Sequence, residues 1–398
     1  MTITAVEARL FRYQGRVGRT WDGNLSVDNP GERHELVLRI ETSDGHYGVA
    51  FAEDPMLVDG VRDRPWVLNE LLAPALLGEG HEYRERIWGQ LRRLQRLHRT
   101  AIGDRTLCLV DLALWDLAGR EAGKPVYHLI GAARDRVPAY ASSVVARLDD
   151  PAMATPAAFA DLAQQCVERG FTAFKLHTWS PWDDAQRSIA RDIAACQAVR
   201  ERVGSEIELM LDPFHFYTRT QARNLGRALE ELDFAWLEEP MDEDSTAAYV
   251  WLCDQLELPI AGPEVAEGKS GIRAEWIVRG ACDLARVGPV DVGGITPMLK
   301  VVGLCEAFNM PLTFHLGGLA SLHVIASMPQ PGAHFEYGLL HPEVDYEATP
   351  PWLTAPPYQL SADGMIDLPT VPGLGWQVDW EYIEANTIDT VRVTADRT

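Results

Sequence analysis

No stretch of the chain approaches ~18 uninterrupted apolar residues, so the sequence offers no membrane-spanning helix. Residues 1–14 mix polar and apolar side chains and lack the roughly 7–15-residue apolar core of a secretory signal. None of the six cysteines (Cys108, Cys166, Cys196, Cys253, Cys282, Cys305) belongs to a C-x-x-C pair. That spacing argues against a zinc or disulfide framework and predicts reduced core cysteines in a cytoplasmic protein. Basic residues are also scarce: 36 Lys+Arg face 58 Asp+Glu, a net charge of −22 with a pI of about 4.9. Such a field repels nucleic acid. It opposes a small anionic substrate too, unless the site carries its own cation, so an acid substrate calls for a metal or clustered Lys/Arg. Glu267-Gly268-Lys269-Ser270 ends in G-K-S but lacks the upstream glycine of a phosphate cradle.

What the sequence does hold is a change of period. Residues 2–13, 36–40 and 47–51 alternate apolar and polar positions around a Ser43-Asp44-Gly45 turn, the pattern of an antiparallel sheet. Ile87, Leu91, Leu94 and Leu97, then Leu109, Leu112 and Trp115, recur at helical spacing. From about residue 136, apolar strand candidates (137–144, 173–177, 207–212, 234–238, 258–264, 284–289, 311–315, 334–337) alternate with helical stretches such as 159–169, 185–203, 221–232, 246–255 and 295–308. Eight parallel-type strands with crossover helices fit a barrel better than an open doubly wound sheet. Residues 345–398, rich in Pro, Gly and Trp, read as a segment wrapping back over the first domain.

Each candidate strand ends in an ionisable side chain: Lys175 and His177, Asp212, Glu238, Glu264, His315, Glu336. In a barrel such ends share one mouth. Asp212, Glu238 and Glu264 are spaced by 26 and 26 residues, about one strand–helix unit, which predicts three neighbouring strands at equal height. Three converging carboxylates repel unless a cation joins them, and a hard, oxygen-seeking ion such as Mg²⁺ suits the set. Glu238 and Glu239 have opposite parity, so one faces the mouth, and parity alone leaves open which. Lys175 and His177 share a face, and either could serve as a base for a carbon acid. His315 lies roughly across the barrel. His98, His128, His323 and His341 read as surface or packed residues. His215, in Phe214-His215-Phe216-Tyr217, and Arg19 and Trp21, in an early loop, are further candidates for contact with a substrate.

These residues resemble the enolase superfamily, and within it the mandelate racemase-like acid-sugar dehydratases and racemases. The resemblance rests on LVDLALWDLAGREAGKPVYHLIGAARDRVPAY (109–140), FKLH (174–177), LMLDPF (209–214), WLEEP (236–240), PIAGPE (259–264), VGGIT (292–296) and FHLGG (314–318), and it spans most of the chain. It implies an α/β protein with a modified (β/α)7β TIM-type barrel at 131–345. It further implies an α+β cap built from residues 1–130 and completed by 346–398. It implies Mg²⁺ on Asp212, Glu238 and Glu264, a base at His177, a substrate contact at Lys175, and matching seventh- and eighth-strand residues at His315 and Glu336. The mechanism it carries is abstraction of the proton next to a carboxylate, giving an enediolate. One departure stands out: the sixth-strand aspartate that usually partners the seventh-strand histidine is Gly288 here, with Arg286 two residues earlier and Asp283 and Asp291 out of register. His315 is therefore expected to lack its carboxylate partner.

The reading is a Mg²⁺-dependent sugar-acid dehydratase. His177, or Lys175 beside it, takes the α-proton, and His315 protonates the departing β-hydroxyl to yield a 2-keto acid. Glu336, Lys175, Arg19, Trp21 and His215 are the expected substrate contacts. A racemase or epimerase is the alternative, disfavoured by the expected isolation of His315. A non-catalytic ligand-binding barrel is a third. The expected partners are a small anionic substrate and further copies of the chain, with neither nucleic acid nor membrane.

Overall fold

A computed structural model describes residues 1–15, 18–19, 25–26, 31–52, 65–179, 188–330 and 333–395, with the side chains of 18–19 and 25–26 excepted. Strands β1 (Ile3–Gly15), β4 (Gly31–Thr42), β5 (Tyr47–Ala52) and β15 (Thr387–Thr394) form one antiparallel sheet in the order β15-β1-β4-β5. The two ends of the chain are thereby stitched together, Val6 lying opposite both Ile40 and Val393. The expected turn joins β4 to β5: Thr42 N–H donates to His46 O at 2.9 Å, and Gly45 supplies φ +89°, a conformation side chains disfavour. Helices Arg84–Leu97 and Asp104–Ala122 follow. Leu107, Val110, Leu114 and Leu117 of the second pack with Ile3, Leu38 and Ala50 in one core. Asp116 fastens that helix, accepting from Val49 N–H at 2.9 Å and Leu374 N–H at 2.8 Å.

The expected strand–helix alternation is present. Strands β6 (Arg136–Ser143), β7 (Ala173–His177), β8 (Glu208–Asp212), β9 (Trp236–Glu238) and β10 (Ile260–Ala261) pair in parallel, and β13 (Phe335–Leu340) joins β6 on the far side. A bridge from Ala261 to Leu284 continues the series to β11 (Ala285–Val287), itself paired with β12 (Leu312–Phe314). Short strand β14 (Met365–Asp367) runs antiparallel to β6. Local chemistry sets the helix starts. Thr155 caps Pro156–Glu168, Ser188 caps Ile189–Val203, and Thr218 with Gln221 forms a reciprocal box at the start of Arg219–Glu231. Among the described residues no helix is long and apolar enough to cross a membrane.

Side-chain parity divides the strands into two faces. Phe174, Leu176, Leu209, Leu211, Leu237 and Ile260 join the large core beneath the helices. Ala173, Met210, Trp236 and Ala261, with Tyr140, form a separate inner layer. Two residues beyond Ala173, Met210 and Trp236 on the same faces come Lys175, Asp212 and Glu238. Apolar side chains therefore fill the space under the charged ends.

Candidate active site

Glu238 faces inward with Trp236, and Glu239 does not. Glu238 is fully buried and accepts from Lys175 Nζ at 2.9 and 3.1 Å. Asp212 closes β8 in register with His177 of β7. Glu264 departs from the equal-height expectation. Its strand ends at Ala261, opposite Glu238, so Glu264 lies three residues further along the chain. The carboxylates of Glu239 and Glu243 accept its backbone N–H, and its carbonyl accepts from Arg273, which fixes where its side chain starts. The side chain returns to the site: Oε2 lies 2.6 Å from Arg286 Nε and Oε1 2.9 Å from His315 Nε2.

Two buried cations hold the acids together. Lys175 Nζ is 2.8 Å from Glu336 Oε1 and 3.9 Å from Asp212 Oδ2, in addition to its contacts with Glu238. Arg286 reaches Glu238 Oε1 at 2.8 Å and Glu336 Oε2 at 3.0 Å, and donates to Phe314 O at 3.1 Å. Burial and Arg286 oppose the charge on Lys175, yet Glu238 and Glu336 hold its pKa well above the ordinary lysine value. Lys175 is thus placed as a cation between Glu238 and Glu336. Burial pushes the Glu238 carboxyl up to about 8, against the pull of Arg286 and Lys175. Burial acts the same way on Asp212, Glu264 and Glu336, but neighbouring cations win and all three lie below the usual range. For Asp212 the dominant cation is His177, for Glu264 His315, for Glu336 Lys175.

The histidines are oriented differently. His177 Nδ1 sits 2.7 Å from the Ser143 carbonyl, which can only accept, so Nδ1 carries a hydrogen and Nε2 is the nitrogen turned to the site. That Nε2 lies 2.9 Å from Asp212 Oδ2. His315 is bonded at both nitrogens, with Nδ1 2.8 Å from Asp291 Oδ2 and Nε2 on Glu264. Burial opposes its charge, but Glu264 and Asp291 push its pKa up to about 10. Both of its nitrogens thus face carboxylates, an arrangement that favours the protonated ring.

Asp291 overturns the expectation of an isolated His315. Gly288 precedes the single helical turn Pro289–Val292, which swings the chain back so that Asp291 reaches His315. A Cβ on Gly288 would lie 2.2 Å from Asp291 Oδ2. The missing side chain at 288 thus makes room for the carboxylate supplied from 291. Register counting along the strand missed this because the donor sits on a turn.

Of the other candidates, Glu336 joins the site through Lys175, Arg286 and the N–H of Leu316, 2.9 Å from Oε2. His215 is brought to Glu239, with Nδ1 3.5 Å from Oε2, so the structure pairs it with Glu239. The side chain of Arg19, on β2 (Gly18–Arg19), lies outside the described residues, as does all of Trp21. His323 is packed, Nδ1 accepting from Tyr127 N–H at 3.2 Å. His341 bonds Asp150 at 2.9 Å. Sequence reasoning missed Arg286 as a member of the site, and the signal for it was an arginine inside an apolar strand.

The enolase C-terminal domain-like family matches residues 158–382, and the mandelate racemase/muconate lactonizing enzyme N-terminal domain matches residues 18–131. Among solved structures, a D-glucarate dehydratase from Agrobacterium tumefaciens complexed with magnesium is similar with TM-score 0.93 and 42% identity, covering 98% of this chain and 100% of that one. An L-talarate dehydratase from Polaromonas sp. JS666, complexed with Mg and L-glucarate, is similar with TM-score 0.77 and 26% identity over 99% of both chains. An arabinonate dehydratase from Saccharolobus solfataricus is 30% identical over 305 residues, 74% of this chain and 77% of that protein. Together these matches establish an α/β fold containing a TIM barrel. The chain belongs to the enolase superfamily and is mandelate racemase-like.

Proposed function

We propose that the protein is a Mg²⁺-dependent lyase that dehydrates a sugar acid to a 2-keto acid. The observation that carries the reading is the unequal pair of histidines. His177 has its Nδ1 hydrogen fixed by the Ser143 carbonyl, and its Nε2, now on Asp212, is left to accept a proton once an ion takes that carboxylate. His315 is held protonated by Asp291 and Glu264, which makes it a donor. Dehydration needs one acceptor for the α-proton and one donor for the β-hydroxyl.

Asp212, Glu238 and Glu264 would hold the ion. All three donors are carboxylates, linked through Lys175 and Arg286, and the set contains neither His nor Cys, as a hard divalent cation requires. The burial that pushes Glu238 up supports this reading, because added positive charge would favour its ionised form. Bound there, Mg²⁺ would offset the charge that builds on the substrate carboxylate as the α-proton leaves. Lys175 presents a fixed cation to the same carboxylate, and Glu336, anchored by Lys175 and Arg286, accepts from substrate hydroxyls. Nε2 of His177 takes the α-proton. Nε2 of His315 gives its proton to the β-hydroxyl, which departs as water, and the enol tautomerises to the 2-keto acid. Both Nε2 atoms rest on carboxylates assigned to the ion, Asp212 and Glu264, so engaging those carboxylates frees both for substrate.

The cap over the mouth is assigned to residues 1–130 with 346–398, and a closed (β/α)7β barrel to 131–345. The pairing of β1 with β15 supports that assignment. The small anionic substrate follows from the cationic lining. A homo-oligomer is the expected assembly, and light scattering in solution checks it.

A racemase or epimerase is the second reading. The contact between Asp291 and His315 favours it, because a carboxylate partner supports a histidine that must also act as a base. Incubating the protein with Mg²⁺ and a panel of aldonic and aldaric acids in D₂O separates the two. Release of 2-keto acid supports dehydration. Deuterium incorporation at the α-carbon without keto-acid transfers the assignment to racemisation.

A further inference from the structure

A second group of ligand-type side chains lies just past the end of β9. We propose that His215, Glu239 and Glu243 form a further divalent-cation site, of the kind that takes Zn²⁺ or Co²⁺. Each offers one ligand atom, and these atoms lie within 4.8 Å of one another, the one His/Cys/Asp/Glu set of this kind among the described residues. Glu239 is 1% exposed and Glu243 8%. Two buried carboxylates this close need a positive charge or a shared proton between them.

The hydrogen bonds show which atoms are free for an ion. Glu239 Oε1 accepts the N–H of Glu264, and Glu243 Oε1 accepts the same N–H at 2.6 Å and that of Val265 at 3.3 Å. Glu239 Oε2 faces His215 Nδ1 at 3.5 Å. Glu243 Oε2 is enclosed and has no hydrogen-bond partner among the described residues. A buried carboxylate oxygen left unsatisfied is costly, and a cation is the partner that an oxygen, a second carboxylate and an imidazole share. The imidazole is pre-placed: His215 N–H donates to Glu239 O at 3.0 Å and Tyr217 N–H to Pro240 O at 2.9 Å, which ties the 214–217 segment to the end of β9. One nitrogen and two oxygens suit a borderline ion better than Mg²⁺, and three protein ligands leave a fourth position for water or a ligand atom. The site is independent of the sugar-acid reading. It meets the carboxylate triad at Glu264, whose N–H serves one cluster and whose carboxylate serves the other, and at Asp212, whose Oδ1 accepts the N–H of Phe214 at 2.9 Å.

The test titrates Zn²⁺ into the full-length protein kept in large excess Mg²⁺, with bound metal counted after equilibrium dialysis and Co²⁺ absorption as the spectroscopic check. One equivalent of Zn²⁺ beyond the Mg²⁺ is expected. His215→Ala and Glu243→Gln should each weaken it at least tenfold, while Asp212→Asn, which removes the triad charge but retains an Oδ1 acceptor for Phe214 N–H, keeps it. Circular dichroism melting shows which variants fold. If Glu243→Gln does not, His215→Ala decides, because that side chain is part-exposed. The proposal is overturned if the Mg²⁺-saturated protein takes up no Zn²⁺, or if its affinity is the same in both site variants. It is overturned equally if the extra equivalent vanishes in Asp212→Asn and persists in His215→Ala. A shared proton in place of a metal appears as the first of these results.

Discussion

At the end of β9, Glu238 meets Lys175 at 2.9 Å and Arg286 at 2.8 Å, whereas the next residue, Glu239, turns to His215 and the N–H of Glu264. Both carboxylates are buried, yet the chain supplies fixed cations to one and only an imidazole to the other. In the first cluster Lys175, Arg286, His177 and His315 face Asp212, Glu238, Glu264 and Glu336. The difference teaches that burying acids takes a matched cation. Where the protein provides one it fixes geometry, and where it does not it leaves a place for something else.

The sharpest break in that comparison is expected at the histidines. His177→Asn should lower both α-proton exchange and keto-acid formation by about 10²–10⁴-fold, the usual weight of a positioned base. His315→Asn should stop dehydration to a similar extent but leave exchange in D₂O intact. Loss of exchange in both variants would undo the division of labour. Next comes Arg286→Met, which strands Glu238, Glu264 and Glu336 without their shared cation. Urea unfolding should show a loss on the order of 3–5 kcal/mol, the cost of breaking a buried pair, part of it recovered by Mg²⁺. An unchanged midpoint would mean that Lys175 suffices alone.

Asp291→Asn should reduce turnover roughly 10–100-fold, as removing a histidine's orienting carboxylate does. Gly288→Ala should do the same, because its Cβ would lie 2.2 Å from Asp291 Oδ2. If only the first variant is impaired, the close approach at 288 is not what seats the carboxylate. The smallest effect is the pH dependence of Mg²⁺ binding. Glu238 ionises near 8 against an ordinary value of 4.5. Its raised value means that ionising it disfavours the folded metal-free form, so this group's contribution to stability falls as pH rises from 4.5 through about 8. A cation needs the carboxylate. Mg²⁺ affinity should therefore climb between pH 6 and 8, by at most about tenfold per unit, and then flatten. Calorimetry in buffers of different ionisation heat reads the released proton, and a flat profile would show that Arg286 and Lys175 already keep Glu238 ionised.

Much of this was legible without coordinates. The alternation of apolar runs marked the parallel strands, and the helix predicted at 295–308 spans Ile295–Phe308. Ionisable residues at strand ends located Lys175, His177, Asp212, Glu238, His315 and Glu336, because a strand's period of two carries a residue's direction in the sequence itself. The Asn-free, Gly45-centred turn was equally readable, since only a residue tolerant of positive φ closes it cheaply.

The tertiary structure decided how those residues meet. Period alone cannot tell which of Glu238 and Glu239 faces the mouth, and packing of Trp236 into the inner layer chose Glu238. Nor can it see Asp291, whose carboxylate reaches His315 because a helical turn reverses the chain beside a residue with no Cβ. Arg286 looked like an interruption of an apolar strand and proved to be the cation shared by three acids. The sequence by itself determined the element types, the strand faces and the set of chemical groups, all of which follow from short-range geometry. Which groups share a proton, a cation or a hydrogen bond depended on distances between strands far apart in the chain, and only the folded barrel sets those.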